Sequence, residues 1–317
     1  MGAAAASFPA LTAVWQVYFV FAVMALGWAA MSGASVNAIV AEHFDARRGF
    51  AVSLALNGAS FGGVLVAPAL LGAISAFGFR DGLHLGVAAM LVVLTPTVLL
   101  SLPPHGARSR PGPTAPPRPA ATLLRERAFW TISAAFALGL LSQVGFLTHQ
   151  VAFVAASYGA AEAASVVGLA SLAAVIGRVG LGFFVDRLDR RRASAANFSL
   201  QIGALALLLW APGRAGLYAG CILFGLGVGN MITLPALIVQ REFEAASFAR
   251  AMSLITAINQ FTFAFGPAIL GWLRQRTGDY DATLLLCMAL HATAALLVLA
   301  RPAGGATSRR RPATPAA

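Results

Sequence analysis

Apolar residues run through this chain in blocks that end at short polar segments. Nine such runs can be drawn, at roughly 14–41, 50–77, 83–102, 129–155, 163–185, 194–210, 215–240, 251–273 and 282–300. About 20 consecutive apolar residues carry a helix across the hydrocarbon core of a bilayer, so each run predicts a membrane-spanning helix. None shows the short residue-by-residue alternation of a membrane barrel strand. The pattern predicts an all-α, multi-pass membrane protein with nine transmembrane helices.

Composition points the same way, with 59% hydrophobic residues, 10% charged residues and a mean hydropathy of +0.78. A soluble domain could not solvate such a surface. The net charge of +11 comes from 22 arginines, with no lysine, against 11 acids. On a soluble chain that balance suggests nucleic acid. Here the arginines fall in alternate loops. Placing the 42–49 loop inside puts seventeen of them in the cytoplasm, among them Arg47, Arg48, Arg187, Arg190–Arg192, Arg241, Arg250 and Arg309–Arg311. Four lie on the other side, Arg80, Arg214, Arg274 and Arg276. This is the positive-inside bias, and it predicts a cell (inner) membrane protein with a cytoplasmic C-terminus. The expected partners are therefore the lipid bilayer and a small solute, with no nucleic acid. Cys221 and Cys287 lie in apolar runs without metal-ligand spacing and read as packing residues. No cofactor or metal is expected. The N-terminus lacks the basic region of a signal peptide.

One segment breaks the pattern. Residues 104–128, rich in Pro and Arg, read as a mobile cytoplasmic linker. It divides the chain into a partial N-terminal bundle (1–103, three spans) and a six-span bundle (129–302), followed by a basic cytoplasmic tail (303–317). The first part resembles the end of the second. "FDARRGFAVSLALNGASFGGVLVAPALLG" (44–72) aligns with "FEAASFARAMSLITAINQFTFAFGPAILG" (243–271), with Pro68-Ala69-x-Leu71-Gly72 on Pro267-Ala268-x-Leu270-Gly271. The same offset of 199 pairs run 14–41 with 213–240 and run 83–102 with 282–300. Runs 129–210 have no counterpart. A parallel repeat of two six-helix halves is a transporter architecture, and it predicts three further helices ahead of Met1. The chain is therefore expected to be an N-terminally truncated form that cannot by itself enclose an alternating-access cavity.

Several motifs resemble the major facilitator superfamily. "GFFVDRLDRRR" is similar to its signature loop, Gly-x-x-x-Asp-Arg-x-Gly-Arg-Arg, through Gly182, Asp186, Arg187, Arg190 and Arg191, with Asp189 in place of the usual glycine. An acid at a helix end with basic residues beyond it can hold a cytoplasmic gate by charge pairing. "EHFDARRGFAVSLALNGASFGGVLVAPAL" (42–70) and "FLTHQVAFVAASYG" (146–159) resemble the fourth-to-fifth and seventh helices of the monocarboxylate porters and oxalate/formate antiporters. The resemblance implies a major-facilitator-type helical bundle in which these spans correspond to helices 4–12 of twelve. It also implies a proton-coupled or similar secondary active transporter, a symporter of a small organic anion of the monocarboxylate kind, and not an enzyme.

Arg178 stands inside an otherwise apolar run, in "VIGRVGLGFF". A mid-membrane arginine costs several kcal/mol unless it is paired or hydrated, so such residues line pathways. Its planar fork meets a carboxylate with two hydrogen bonds. The porters carry an arginine four residues before a glycine in their eighth helix, implicated in substrate binding, and Arg178-Val-Gly-Leu-Gly182 matches. The alternative is a structural arginine, paired with backbone carbonyls or with Asp186. The oxalate carriers use a lysine in the eleventh helix, where this chain has Asn259 and Gln260; that favours one substrate carboxylate over two. His149 is a candidate proton acceptor near the outer end of its helix, or an interhelical hydrogen bond. Asn230, with Asn57, Gln143 and Gln150, either lines the path or bonds between helices. The candidate substrate-binding set is thus Arg178, His149, Asn230, Asn259 and Gln260. A second reading is a non-transporting membrane protein whose partner supplies the missing helices. An intramembrane enzyme finds no support, because no His/Glu pair, metal cluster or Ser/His arrangement falls in a span.

Overall fold

The computed structural model describes residues 1–31, 62–101, 118–185, 187–211 and 213–300, with positions 36, 39, 40, 51, 54, 55 and 58 between them. Every long element among these residues is a helix. We number them α1 (Gly2–Ala6), α2 (Val14–Ala30), α3 (Ala67–Ser101), α4 (Ala120–Leu123), α5 (Arg127–Tyr158), α6 (Ala160–Phe184), α7 (Arg190–Trp210), α8 (Gly213–Val228), α9 (Asn230–Glu242), α10 (Phe248–Phe263), α11 (Gly266–Thr277) and α12 (Asp281–Leu299).

Helix α3 covers parts of two of the expected spans. Gly78 adopts φ 80° and ψ 167°, a left-handed conformation that glycine takes without steric cost, and the chain doubles back there. A Cβ on Gly82 would lie 2.6 Å from Ile74 Cα, and one on Gly86 would lie 2.6 Å from Leu70 Cδ1. In a straight helix residues 74 and 82 would stand about 12 Å apart. α3 is therefore a tight hairpin whose arms meet only because both glycines lack side chains. Short α1 lies along its second arm, where His84 Nε2 is 3.0 Å from the Ala6 carbonyl.

The element boundaries repeat as the sequence does. α2 starts at Val14 and α8 at Gly213; α3 starts at Ala67 and α11 at Gly266, each with proline as its second residue. Gly78 and Gly278, both at positive φ, turn the chain at nearly equivalent points. All of these pairs lie within a residue of the offset 199.

Helices α5 to α12 form one bundle around α5, half of whose residues are buried. Two pairs act as single bent spans. α8 and α9 join at Gly229, whose φ −63° and ψ −29° remain helical, and Pro235 lies inside α9. α10 and α11 join through Ala264 and Phe265 ahead of Pro267. Proline removes an intrahelical hydrogen bond, and neighbouring helices then hold the bend. Within the bundle, Phe136, Phe198, Met231, Ile255 and Val298 pack into one core.

Helix association in lipid gains little from hydrophobic transfer and rests on close packing and hydrogen bonds. The α6–α8 crossing shows this. A Cβ on Gly177 would fall 2.0 Å from the Leu226 carbonyl oxygen, one on Gly225 2.3 Å from the Ala170 oxygen, and one on Gly229 2.8 Å from the Ala174 oxygen. Gly177 on α6, Gly225 on α8 and Gly229 at the joint after it thus bring backbone against backbone.

At the end of the bundle where α5 begins, the last residues of the Pro/Arg-rich segment dock onto it. Arg118 bonds Glu244 closely and Glu126 at 2.8 Å, its backbone N–H donates to Ser247 Oγ at 3.1 Å, and Leu123 is fully buried. Glu244 first, and Glu126 second, hold the Arg118 guanidinium above the ordinary arginine value by accepting its hydrogen bonds.

Candidate functional site

Arg178 lies on α6, three turns before Asp189, and is 2% exposed. The small residues that let α6 and α8 touch also set its reach: Nε donates to the Gly229 carbonyl at 3.1 Å. A Cβ on Gly229 would come within 2.8 Å of that same Nε, so the glycine makes the approach possible.

The Gly229 carbonyl is the last of three successive carbonyls capped by different helices. Gly227 accepts from Asn197 Nδ2 of α7 at 3.2 Å, Val228 from Gln143 Nε2 of α5 at 3.5 Å, and Gly229 from Arg178 of α6. The donors are cross-linked. Asn230 Nδ2 donates to Asn197 Oδ1 at 3.0 Å, and Gln201 Nε2 donates to Gln143 Oε1 at 2.9 Å. Buried amides in a dry interior are stable only when so paired. Gln201 Oε1 and Asn230 Oδ1 have no hydrogen-bond partner among the described residues. The cluster therefore keeps acceptor capacity beside a buried cation, and the junction of α8 and α9 is its centre.

The sequence-expected residues do not all meet there. Arg178 and Asn230 share this junction. His149 sits elsewhere, with Nε2 3.0 Å from the Pro267 carbonyl and its ring beside Gly271 and Tyr280. Asn259 is buried on the α10 face that carries Met252 and Ile255, with Oδ1 unpartnered among the described residues, and Gln260 next to it is half-buried. Asn57 and Asp186 lie outside the described residues.

The signature loop is organised around α7. Asp189, which stands where the superfamily pattern has glycine, is the N-cap of α7 and accepts from the N–H groups of Arg191 and Arg192, both at 3.1 Å. An N-cap carboxylate satisfies donors that the first turn leaves open. Arg191 turns inward and is 2% exposed; Nε and Nη2 grip Glu242 at 2.6 and 2.7 Å, while Nη1 reaches Thr131 Oγ1 at 3.1 Å and the Val298 carbonyl at 2.8 Å. Arg190 Nη1 donates to the Leu237 carbonyl at 2.5 Å. Arg187 and Gly182 lie at the end of α6.

Three participants were missed by the sequence reading. Asn197 and Gln201 stand four apart on one face of α7, a spacing that marks a buried polar stripe. His291, fully buried on α12 between the rings of Phe198 and Phe224, has neither ring nitrogen partnered among the described residues. A lone histidine in the middle of an apolar run was its only signal.

This arrangement, a glycine-packed bundle of long apolar helices with a buried arginine and amides at a helix break, is that of a polytopic helical membrane protein. Residues 1–267 match the Major Facilitator Superfamily model, and the chain belongs to that family. It is 29% identical to mouse monocarboxylate transporter 11, covering 87% of this chain and 64% of that one, and equally identical to the human protein, covering 61% of it. The chain thus spans under two thirds of the length of these relatives. A 97-residue stretch is 36% identical to a putative anionic 4-hydroxy-benzoate permease of Thauera aromatica, covering 30% of this chain and 58% of the permease. The Escherichia coli fucose:proton symporter superposes over 84% of this chain and 72% of its own, with TM-score 0.67 and 15% identity, which establishes a shared fold.

Proposed function

We propose that the chain is a secondary active transporter of a small monocarboxylate, coupled to protons and working by alternating access in the inner membrane, with its C-terminus in the cytoplasm. The observation that supports this most is Arg178: a guanidinium at 2% exposure, in a cluster of amides, at the break of a bent span. A single carboxylate suits such a cation, because charge-assisted bidentate pairing offsets the burial of both charges. The relatives named as monocarboxylate transporters and as an anionic 4-hydroxy-benzoate permease support the same class. His149 is the proposed proton acceptor, and Asn230, Asn259 and Gln260 the proposed polar lining. Gly182, Asp186, Arg187, Arg190 and Arg191 are the proposed cytoplasmic gate.

The test is uptake of radiolabelled lactate and 4-hydroxybenzoate into proteoliposomes holding the full twelve-helix protein, with and without an inward proton gradient. Gradient-driven uptake that Arg178→Gln abolishes is expected. No uptake of either acid by correctly folded protein overturns the proposal. A second reading, a membrane protein completed by a partner, is favoured by α3, whose apolar stretch is unburied within this chain. Copurification of a small multi-span protein would select it.

A further inference from the structure

One ring nitrogen of His149 is committed. Nε2 lies 3.0 Å from the Pro267 carbonyl oxygen, and a carbonyl oxygen only accepts. Neutral His149 is therefore the Nε2–H tautomer, and its lone pair is on Nδ1, which makes no hydrogen bond among the described residues. The carbonyl it holds belongs to a weak point. Pro267 is the second residue of α11, just beyond the joint at Ala264 and Phe265, and it has no N–H to give the joint. Here α5 and α11 meet backbone to backbone. A Cβ on Gly266 would fall 2.4 Å from the Leu141 oxygen, and one on Gly145 3.1 Å from the Gly266 carbonyl carbon. Leu141, Gly145 and His149 recur every four residues, so one stripe of α5 carries both the contact and the bond. Tyr280 is the titratable group facing the imidazole, 6.1 Å away between ring centroids. The charged groups nearby are engaged elsewhere: Arg274 lies 4.9 Å over the Tyr280 ring, Arg276 5.6 Å over Trp272, and Asp279 accepts the Asp281 N–H at 3.1 Å. On α10, Arg250 reaches the Arg118 carbonyl; on α12, Cys287 bonds the Ser142 carbonyl and His291 meets Phe198 and Phe224.

We propose that His149 takes its proton at Nδ1, and that this proton tightens the clasp of α5 on the break between α10 and α11. The inference rests on the reading of His149 as proton acceptor, and names the atom and the effect. The Nδ1 lone pair takes a proton from solvent; no bond in the protein breaks, and the ring becomes a cation that keeps its Nε2–H on Pro267. A charge-assisted hydrogen bond is roughly twice as strong as a neutral one, so the hold on the break grows. A ligand shifts a conformational equilibrium only by its differential affinity for the two states. The proton has that difference built in, because the clasped state offers the imidazolium a carbonyl and the unclasped state does not. The opposite tautomer would give the opposite result: with its hydrogen on Nδ1, neutral His149 would have nothing at Nε2 to donate.

The experiment is NMR of the isotope-labelled histidine ring nitrogens of the full chain in lipid nanodiscs, titrated between about pH 5 and pH 8, with hydrogen–deuterium exchange at both ends of that range. Neutral His149 should carry its hydrogen on Nε2, and Nδ1 should gain one as the pH falls. Amides of 264–277, corrected for the intrinsic effect of pH, should then exchange roughly fivefold more slowly, while those of α7 do not change. His149→Gln assigns the signals and keeps an N–H for Pro267, but cannot titrate; its 264–277 amides should be equally protected at both pH values. Where that variant does not fold, substituting the other histidines in turn assigns His149 by elimination, and the wild-type comparison needs no variant. A neutral ring with its hydrogen on Nδ1 overturns the clasp and leaves the proton-acceptor reading standing. So does protonation at Nδ1 without a change at 264–277, or a pH response there that survives in His149→Gln. A His149 that keeps one protonation state across the range overturns the proton-acceptor reading, and the clasp with it.

Discussion

The Arg191–Glu242 pair makes an asymmetric prediction about stability. Arg191 is 2% exposed, whereas the Glu242 side chain retains 29% of its surface. Glu242→Gln removes the charge that compensates a buried guanidinium and turns an amide N–H₂ toward its donors. Arg191 is then left with Thr131 Oγ1 and the Val298 carbonyl, both neutral. Breaking a buried pair from this side costs about 3–5 kcal/mol. Arg191→Met leaves the carboxylate instead, and Glu242 can turn to water. Thr131 Oγ1 keeps its own bond to the Ala128 carbonyl at 3.0 Å, so removing the cation strands little. That variant should cost about 1–2 kcal/mol, mostly in lost packing of the side-chain stem. For a domain of this size 1 kcal/mol moves the melting temperature by roughly 2–4 °C, so thermal unfolding in detergent should place Glu242→Gln near 10 °C below wild type and Arg191→Met within about 5 °C. The double variant Arg191→Met/Glu242→Leu should recover most of the loss. Equal costs for the two single variants, or a larger one for Arg191→Met, would refute the argument from burial.

Other substitutions probe separate parts of the bundle. Gly177→Ala forces a Cβ to within 2.0 Å of the Leu226 carbonyl oxygen, so α6 and α8 must separate; a loss of about 3 kcal/mol or misfolding is expected by thermal shift, against a near-neutral Gly180→Ala, which has open space. His291→Leu removes two unpartnered ring nitrogens from a fully buried site and should raise the unfolding temperature, by about 1 kcal/mol equivalent, in the same assay; a fall would show that the imidazole has a partner. Arg118→Ala loosens an exposed cluster, costs roughly 1 kcal/mol or less, and should matter less at 1 M than at 0.05 M salt in that assay, by the Debye lengths of about 3 and 14 Å. Because its carboxylate partners raise the Arg118 pKa, the contribution is present at neutral pH and, on the alkaline side, is lost only at extreme alkalinity.

The sequence by itself determined the number and order of the bundle spans, because span length answers to bilayer thickness and needs no knowledge of neighbours. It also carried the repeat: the starts of α3 and α11, and the turns at Gly78 and Gly278, follow proline and glycine, whose backbone rules are local. Arg178 was legible because a charge in an apolar run is conspicuous wherever it points. What the tertiary structure decided was which polar groups meet. These helices are apolar on every side, so no face announces itself, and rotation and depth are set by where small residues let backbones touch. Gln143 and Gln201 lie 58 residues apart and Arg178 and Gly229 lie 51 apart, yet each pair is bonded. Asp189 read as a departure from a motif until the fold placed it as the cap of α7. His149 and Arg178, grouped by chemistry in the sequence, are separated because the α5 face at 149 turns to Pro267 while α6 turns Arg178 to Gly229. Hydrophobic length fixes a helix in the membrane; only close packing tells it which neighbour to face.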